Sequence, residues 1–237
     1  VQTRGAARSS VNARDAKGAA RNDRAADAAR RVVPALEKDL GAAGLHLGDP
    51  VFVRIFKHEH QLELWMLHGR AYSLFRTYPI CTWSGALGPK LRQGDGQSPE
   101  GFYSVGRNQL NPASQYHLAF NLGYPNAYDR ALGRTGDFLM VHGKCVSIGC
   151  YAMGDAAIEE IYTLLDAALR AGQPQADVQV FPFRFDHPPT AGWRNGTSGE
   201  FWGDLESGYR AFERTHRPPE IRVLNHRYRV TPQGTDR

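Results

Sequence analysis

The stretch V-H-G-K-C-V-S-I-G-C-Y-A-M-G-D occupies residues 141–155 and leads from an apolar strand through a turn to the start of a helix. It places a His-Gly pair, a serine and a Gly-Cys pair within the nine residues 142–150. A thiol is a poor nucleophile until it loses its proton, and a nearby imidazole can accept that proton. Backbone N–H groups at a glycine-containing turn before a helix can stabilise a thiolate or an oxyanion. The pattern therefore indicates acyl transfer through a cysteine nucleophile.

The sequence around this stretch alternates in the way expected for short strands, with a few amphipathic helices. The predicted strands are 51–57, 61–68, 71–80, 101–107, 116–122, 137–142, 178–185 and 221–230. The predicted helices are one ending at Arg31, a second with Pro34 in its first turn, and others at 154–172 and 201–214. Many short strands and few helices favour a β-rich α+β domain.

The positive charge of the chain is concentrated at its N-terminus. The 237 residues carry a formal net charge of +5, and residues 1–31 alone hold eight basic and three acidic side chains, which gives that whole excess. The remainder is neutral, so the domain lacks the basic face expected of a nucleic-acid binder. We expect residues 1–31 to form a mobile Ala/Arg-rich arm or linker, although attraction to a polyanion is a second interpretation. Deleting residues 1–28 should then leave turnover nearly intact.

The run H-G-x-x-x-S-x-G-C at residues 142–150 resembles the active-site signature of the YkuD-type L,D-transpeptidase family. The gap after His-Gly is short, and Ile148 stands where that family ordinarily has a histidine before Gly-Cys; both features resemble its YafK-like murein branch. Four further segments carry the same likeness, which spans about residues 30–230: T-Y-P-I-C (77–81), S-G-A-L-G-P-K-L-R-Q-G-D-G-Q-S-P-E-G-F-Y (84–103), F-N-L-G-Y-P-N-A-Y-D-R-A (120–131) and F-P-F-R-F (181–185).

The resemblance implies an α+β fold, mostly a β-sandwich, with flanking helices and the flexible N-terminal arm. It implies a catalytic domain over residues 32–230, including a C-terminal helix and strand, and a tail over 231–237. It also implies a periplasmic enzyme that needs no cofactor or metal. Its partners would be peptidoglycan stem peptides and a murein-linked lipoprotein, with no nucleic acid and no transmembrane segment, and we expect a monomer. Because the chain begins at Val1 with no hydrophobic signal core, export is not read from a leader.

The resemblance also assigns the catalytic groups. Cys150 would be the nucleophile and His142 the general base and acid, with the Gly143 carbonyl orienting the imidazole. Backbone N–H groups of Gly149 and Cys150 would form part of the oxyanion hole, and Ser147 would support the turn. Replacement of the motif histidine by isoleucine would make one wall of the substrate cleft less polar.

Six further residues are candidates for substrate binding. They lie in a polar loop before the catalytic strand and in a Gly/Pro-rich loop after the third strand: Tyr124, Asn126, Arg134, Trp83, Ser84 and Lys90. An arginine fork suits a carboxylate of diaminopimelate. The competing interpretation is ordinary turn chemistry for the polar loop and core packing for the tryptophan.

The implied reaction is attack by Cys150 on the carbonyl at the L-centre of diaminopimelate, which gives a thioester. Water as acceptor gives release of a murein-linked lipoprotein or L,D-carboxypeptidase activity, and another amine gives 3–3 cross-links or lipoprotein attachment. We favour hydrolysis because the YafK-like branch includes enzymes that cut the murein–lipoprotein link.

Two other classes of protein remain as alternatives: a zinc hydrolase that uses His142, Cys145 and Cys150 as ligands, and a non-catalytic wall-binding module. Cys81 and Cys145 could pair in an oxidising compartment, but two inert buried thiols are the favoured interpretation.

Overall fold

The computed structural model describes residues 13–234, with side chains described from Arg24 onward. Its helices are α1 Ala13–Ala42, α2 Ala127–Ala131, α3 Asp155–Arg170 and α4 Gly199–Thr215, with 3₁₀ turns at Arg107–Gln109 and Trp193–Asn195. Its strands are β1 Val51–Phe56, β2 Gln61–His68, β3 Ala71–Pro79, β4 Gly101–Val105, β5 Leu110–Asn111, β6 Ala119–Asn121, β7 Met140–His142, β8 Tyr151–Ala152, β9 Ala176–Phe181, β10 Glu220–Leu224 and β11 Arg227–Thr231.

The strands form two sheets and a separate hairpin. The larger sheet has the order β3-β2-β1-β9-β4, in which only the β1–β9 pair is parallel. The smaller sheet has the order β5-β6-β7-β8, with β7 and β8 parallel, and β10 pairs with β11. With four helices in the described part of the chain, this is the predicted α+β class, which is confirmed.

Burial on both faces explains the apolar residues of β1, which are interrupted only by the buried Arg54. All six of its residues are buried, because α3 and the smaller sheet cover one face and α4 covers the other. Helix α3 is amphipathic, and its apolar stripe, which includes Ile158, Ile161 and Leu165, belongs to the same core as β1. The second core is a cluster of aromatic side chains between the large sheet, α4 and the terminal hairpin.

Helix α1 differs from the two short helices predicted for this region. It continues through Pro34 to Ala42, and Ala28 is fully buried against the domain. Arg24 and Arg31 bond to groups 90 and 128 residues away along the chain. Residues 24–31 are therefore docked, which corrects the expectation of a mobile arm there, because burial and charge-assisted bonds offset the cost of ordering. Residues 1–12 of the predicted arm lie outside the described residues.

The end of the chain is also organised differently from the prediction. The region predicted as one strand, 221–230, is the hairpin β10–β11, because Asn225 and His226 both adopt positive φ and form a two-residue turn. Strand β9 ends at Phe181, directly before Pro182, as the missing N–H of proline requires. Within residues 13–234 no helix combines the length and apolar character needed to cross a membrane.

Candidate active site

Cys150 and His142 are brought together by the parallel pairing of β7 with β8. His142 ends β7, Cys150 directly precedes β8, and the register pairs Val141 with Tyr151. This register sets Cys150 beside Met140, whose backbone N–H donates to the Cys150 sulfur over 3.4 Å. Cys150 and His142 line the same cavity of about 480 Å³.

The imidazole of His142 is held in one orientation. Its Nδ1 lies 2.5 Å from the Gly143 carbonyl oxygen, so the tautomer that bonds there carries its proton on Nδ1 and leaves Nε2 as a proton acceptor. His142 is 2% exposed, and burial lowers its pKa, which the Gly143 bond partly offsets. The ring therefore stays neutral, and able to accept a proton, at lower pH than an ordinary histidine.

The thiol of Cys150 is the only free one among the three cysteines of the chain. Burial raises its pKa, and the Met140 N–H and the charge of Lys90 partly offset that rise. The thiol donates to the Phe138 carbonyl over 3.6 Å. These shifts favour a neutral thiol beside a neutral imidazole at rest, so any attack by this thiol would need a base to accept its proton.

Two serines fix the turn that carries Cys150. Ser147 Oγ and Ser98 Oγ both donate to the Cys150 carbonyl, over 2.8 and 3.0 Å. Ser147 thus lies where turn support was predicted. Its Oγ also accepts the Gly149 N–H at 3.2 Å, which differs from the predicted oxyanion role of that group because the N–H is directed at the serine. The hydrogen bonds found within residues 13–234 include none donated by the Cys150 N–H, which leaves it as the candidate donor.

Close packing requires glycine at two positions of the motif. A Cβ on Gly143 would lie 2.7 Å from Asp155 Oδ1 and 2.8 Å from the Tyr116 carbonyl oxygen, so no side chain fits between these groups. Gly149 has a φ of +138°, which other residues rarely adopt, and a Cβ there would lie 3.1 Å from Leu139. The backbone can therefore bring the thiol and the imidazole to one cavity only with these glycines in place.

A disulfide ties the catalytic turn to the larger sheet. Cys145, in the turn, is bridged to Cys81, which follows β3, with 5.4 Å between the two Cα atoms. This finding corrects the favoured expectation of two inert thiols. It also argues against the zinc hydrolase, because a cysteine in a disulfide supplies no thiolate ligand.

Only one of the six predicted substrate-binding residues lines the cavity of Cys150. Lys90 does so, with its ammonium paired to Asp95 and donating to the Arg92 carbonyl at 2.9 Å. Tyr124 is buried behind it and donates to the Lys90 carbonyl at 3.2 Å. Ser84 lies outside the cavity lining, with its Oγ 3.3 Å from the Oγ of Ser147. These two residues support the cavity wall without lining it.

The other three candidates lie elsewhere, which corrects their assignment to this cavity. Asn126 caps α2 by accepting the Asp129 N–H, and Arg134 pairs with the same buried aspartate at 2.8 Å. Trp83 packs against the core, with its ring 4.8 Å from the ammonium of Lys57. The side-chain amide of Asn126 also donates to the Phe102 carbonyl and to the Tyr228 hydroxyl, each over 2.8 Å, so the polar groups of this loop are used in holding the fold.

Sequence reasoning missed the apolar and aromatic residues at the mouth of the cavity. Tyr116, Phe138 and Val146 line it and are all exposed, and nothing in their local sequence pattern distinguishes them from ordinary strand and loop residues. Ile148 also lines the cavity and is 88% exposed, in keeping with the predicted less polar wall.

Comparisons with known proteins agree on one family. The model of the L,D-transpeptidase catalytic domain, YkuD, matches residues 50–198. The Escherichia coli K12 protein named "Putative L,D-transpeptidase YafK" is 50% identical over 185 residues, which cover 78% of this chain and 75% of that protein. Its counterpart in strain O157:H7 matches equally.

Solved structures that are similar to part of this chain include the helical cell shape determining protein Pgp2 of Campylobacter jejuni. One structure is 19% identical with a TM-score of 0.47, and the match covers 75% of this chain and 73% of that one. A mutant of Pgp2 is 22% identical with a TM-score of 0.48, and the match covers 69% of this chain but only 56% of that one.

Proposed function

This chain belongs to the YkuD family of L,D-transpeptidase catalytic domains, and from that premise we propose a cysteine-dependent acyl-transfer enzyme that acts at the L-centre of diaminopimelate in peptidoglycan stem peptides. The family supports a peptidoglycan enzyme of the L,D-transpeptidase type. The proposal adds the nucleophile, Cys150, the base, His142, and a thioester intermediate.

One observation carries this proposal: the only free thiol of the chain and a buried imidazole with Nε2 available line one cavity. Among the described residues, the contacts of the thiol and of the imidazole do not by themselves give a structural reason for placing the two groups together. His142 uses Nδ1 on the Gly143 carbonyl, and the thiol has only weak contacts with the Met140 N–H and the Phe138 carbonyl. Such a pair fits proton transfer from sulfur to nitrogen as the sulfur attacks.

Acylation proceeds in two steps. The Cys150 sulfur bonds to the carbonyl carbon as its proton passes to Nε2 of His142, and the Cys150 N–H stabilises the oxyanion. The tetrahedral intermediate then collapses, the carbon–nitrogen bond breaks, and the leaving amine takes the proton from His142. The products are a thioester on Cys150 and a free amine, and the imidazole of His142 is neutral again.

The acceptor decides the product. We propose water, with His142 removing its proton and the thiol regaining a proton as the thioester breaks; the products are a carboxylate and free enzyme. A murein-linked lipoprotein or a terminal amino acid would be the leaving group, and the site of action would be the periplasm. An amine acceptor, which gives 3–3 cross-links or lipoprotein attachment, is the alternative within the same chemistry.

Product mass spectrometry on defined muropeptides tests this function. The protein is incubated with tetrapeptide muropeptides and with muropeptides that carry a lipoprotein remnant, alongside Cys150→Ala, Cys150→Ser and the control Ser207→Ala, an exposed position on α4. In the wild type and the control we expect each muropeptide to be split into a shortened stem peptide and the released amine, whose masses together exceed that of the substrate by one water. We expect no such products in either Cys150 variant.

Each other result has a distinct meaning. New 3–3 dimers without release would overturn hydrolysis and support transfer. Activity retained in Cys150→Ala would refute the thioester mechanism, and murein binding without turnover in every form would favour a wall-binding module. Full activity in the presence of a chelator would argue against a zinc hydrolase. Loss of activity on thiol alkylation would support cysteine chemistry.

A further inference from the structure

Tyr116 covers one side of the candidate base. Its ring centroid lies 4.7 Å from that of His142, with 34° between the ring planes. Tyr116 lies in the loop between β5 and β6, lines the cavity of Cys150 and is 40% exposed. Its inner face therefore shields the imidazole from water while its outer edge borders the space where a substrate would lie.

Helix α1 holds the loop that carries this tyrosine. One guanidinium nitrogen of Arg24, Nη1, donates to the carbonyl oxygens of Ser114 and His117, each over 2.8 Å. These carbonyls flank Tyr116 on its two sides along the chain. Tyr116 also donates its backbone N–H to Ser114 Oγ at 3.0 Å, so the backbone around the ring is closed into a compact turn.

A second set of contacts fixes the far end of the same loop. His117 has a φ of +72°, and its Nε2 lies 2.7 Å from Glu159 Oε1 on α3. Arg31 of α1 donates to both oxygens of Glu159, over 2.5 and 3.1 Å. The hydrogen bond from Arg31 is the main cause of a lowered pKa of Glu159, so this carboxylate stays charged. Helices α1 and α3 thus anchor the loop together.

We propose that Arg24, on α1, is a positioning residue for the candidate active site, because its hold on the two carbonyls beside Tyr116 keeps that ring over His142. Helix α1 ends before the region matched to the catalytic domain family, so this contact is an addition made by the N-terminal segment. The proposal rests on the proposed function. It also reverses the expectation that residues 1–28 are dispensable, since their deletion removes Arg24.

The consequence for His142 follows from its surroundings. The charged groups that share its cavity are Lys90 and Asp137, and Asp155 packs against Gly143 next to it. Removing the Tyr116 ring leaves these charges in place and admits water to the imidazole, which relieves the desolvation that lowers its pKa. Replacing Arg24 loosens the loop that carries the ring, which should also raise the pKa of His142, but by less.

The test compares Arg24→Ala, Tyr116→Ala and Tyr116→Phe with the control Arg30→Ala. Arg30 is an exposed arginine on the same helix whose one ion-pair partner among the described side chains is Asp27. Two readouts need no murein: the pH profile of Cys150 alkylation by iodoacetamide, and the NMR titration of His142, assigned with His142→Gln. A third readout is kcat and KM on the muropeptide that the wild type turns over.

We expect the His142 midpoint to rise by about half a pH unit or more in Tyr116→Ala, and by less in Arg24→Ala. On muropeptides, kcat should fall about tenfold in Tyr116→Ala and by less in Arg24→Ala, with a smaller change in KM in each, because the base is misplaced. Tyr116→Phe keeps the ring, so its kcat should be much closer to that of the wild type than the kcat of Tyr116→Ala. Arg30→Ala should match the wild type in all three readouts.

An Arg24→Ala protein that unfolds like the wild type and has an unchanged His142 titration and alkylation profile would overturn the proposal. Equal losses in Arg24→Ala and Arg30→Ala would also overturn it, since they would report a general effect of the helix. If the wild type turns over no muropeptide, the proposed function fails, and the titration and alkylation data still decide the role of Arg24.

Discussion

Replacing Glu100 by glutamine should reveal how the wall of the active site is held. Lys57 is 0% exposed and its ammonium donates to three carbonyls, of Ala86, Gly88 and Ser98, over 2.8 to 3.2 Å, and to Glu100 Oε1 at 3.0 Å. Glu100 in turn accepts the Gly88 N–H and the Trp202 indole N–H, each at 2.7 Å. This ion pair folds the loop that supplies Lys90 to the cavity and Ser98 to the Cys150 carbonyl.

The glutamine leaves a buried ammonium without its counter-charge. If its oxygen keeps facing Lys57, its NH₂ group faces the indole N–H of Trp202, so two donors meet. Removing one partner of a buried ion pair costs about 3–5 kcal/mol. That loss is a large part of the roughly 5–15 kcal/mol that stabilises a typical domain.

The loss should also depend on pH. Burial lowers the pKa of Lys57 below its usual 10.5, and Glu100 partly offsets this. Between the folded and unfolded pKa values the unfolded chain binds more protons, so stability rises with pH there, by at most about 1.4 kcal/mol per pH unit. Without the carboxylate the folded pKa falls further, so Glu100→Gln should regain stability from pH 7 to pH 9 more steeply than the wild type.

Urea unfolding at pH 7 and pH 9 measures both effects. The matched control is Glu220→Gln, which breaks the exposed pair with Arg222 and should cost no more than about 0.5 kcal/mol. A Glu100→Gln loss below about 1 kcal/mol, equal at the two pH values, would refute the reasoning that this pair is buried, charged and responsible for the loop.

Three further outcomes are expected. Gly143→Ala should lose most muropeptide turnover, because its Cβ would lie 2.8 Å from a backbone carbonyl oxygen. Gly41→Ala, whose Cβ would have no atom within 4 Å, should retain turnover. Turnover equal to the wild type in Gly143→Ala would count against the close approach. Cys145→Ser should lower the unfolding free energy by about 4 kcal/mol from the 64-residue separation of its disulfide, and unchanged urea midpoints would contradict this. The acid limb of kcat/KM should have its midpoint below pH 6.5, because burial lowers the pKa of His142, and a midpoint above that value would show that another group is titrating.

Several elements could be predicted because their signals are local. The apolar stripe of α3 and the runs of β1 to β3 repeat with the periods of a helix and of strands, and the structure has these elements within two residues of the predicted bounds. The prediction was wrong where a tight turn interrupts an alternating, strand-like region, as at Asn225 and His226. It also failed at Pro34, because the first turn of a helix and a tolerated position inside a longer helix look alike in sequence.

The candidate site also contains features that local sequence predicted and features that it did not. The motif predicted a thiol and an imidazole close together because only a short turn separates Cys150 from the strand that ends in His142. The short strand β8 between this turn and α3 was not predicted. The prediction of substrate-binding residues in loops was less accurate. Asn126 caps α2 and Arg134 pairs with Asp129, and Tyr116 was not predicted to line the site. A side chain in a loop can face a site or its own backbone, and composition does not distinguish the two directions.

The amino-acid sequence by itself predicted the chemistry proposed for this protein: a cysteine and a histidine within nine residues, and the glycines that allow them to approach. These are relations between near neighbours, governed by local geometry. Only the tertiary structure decided that Cys81 bridges to Cys145, that α1 reaches the loop of Tyr116, and that Lys90 alone among the candidates lines the cavity. These contacts join residues far apart in the chain, and their free energy depends on burial that exists only after the sheets and helices have packed.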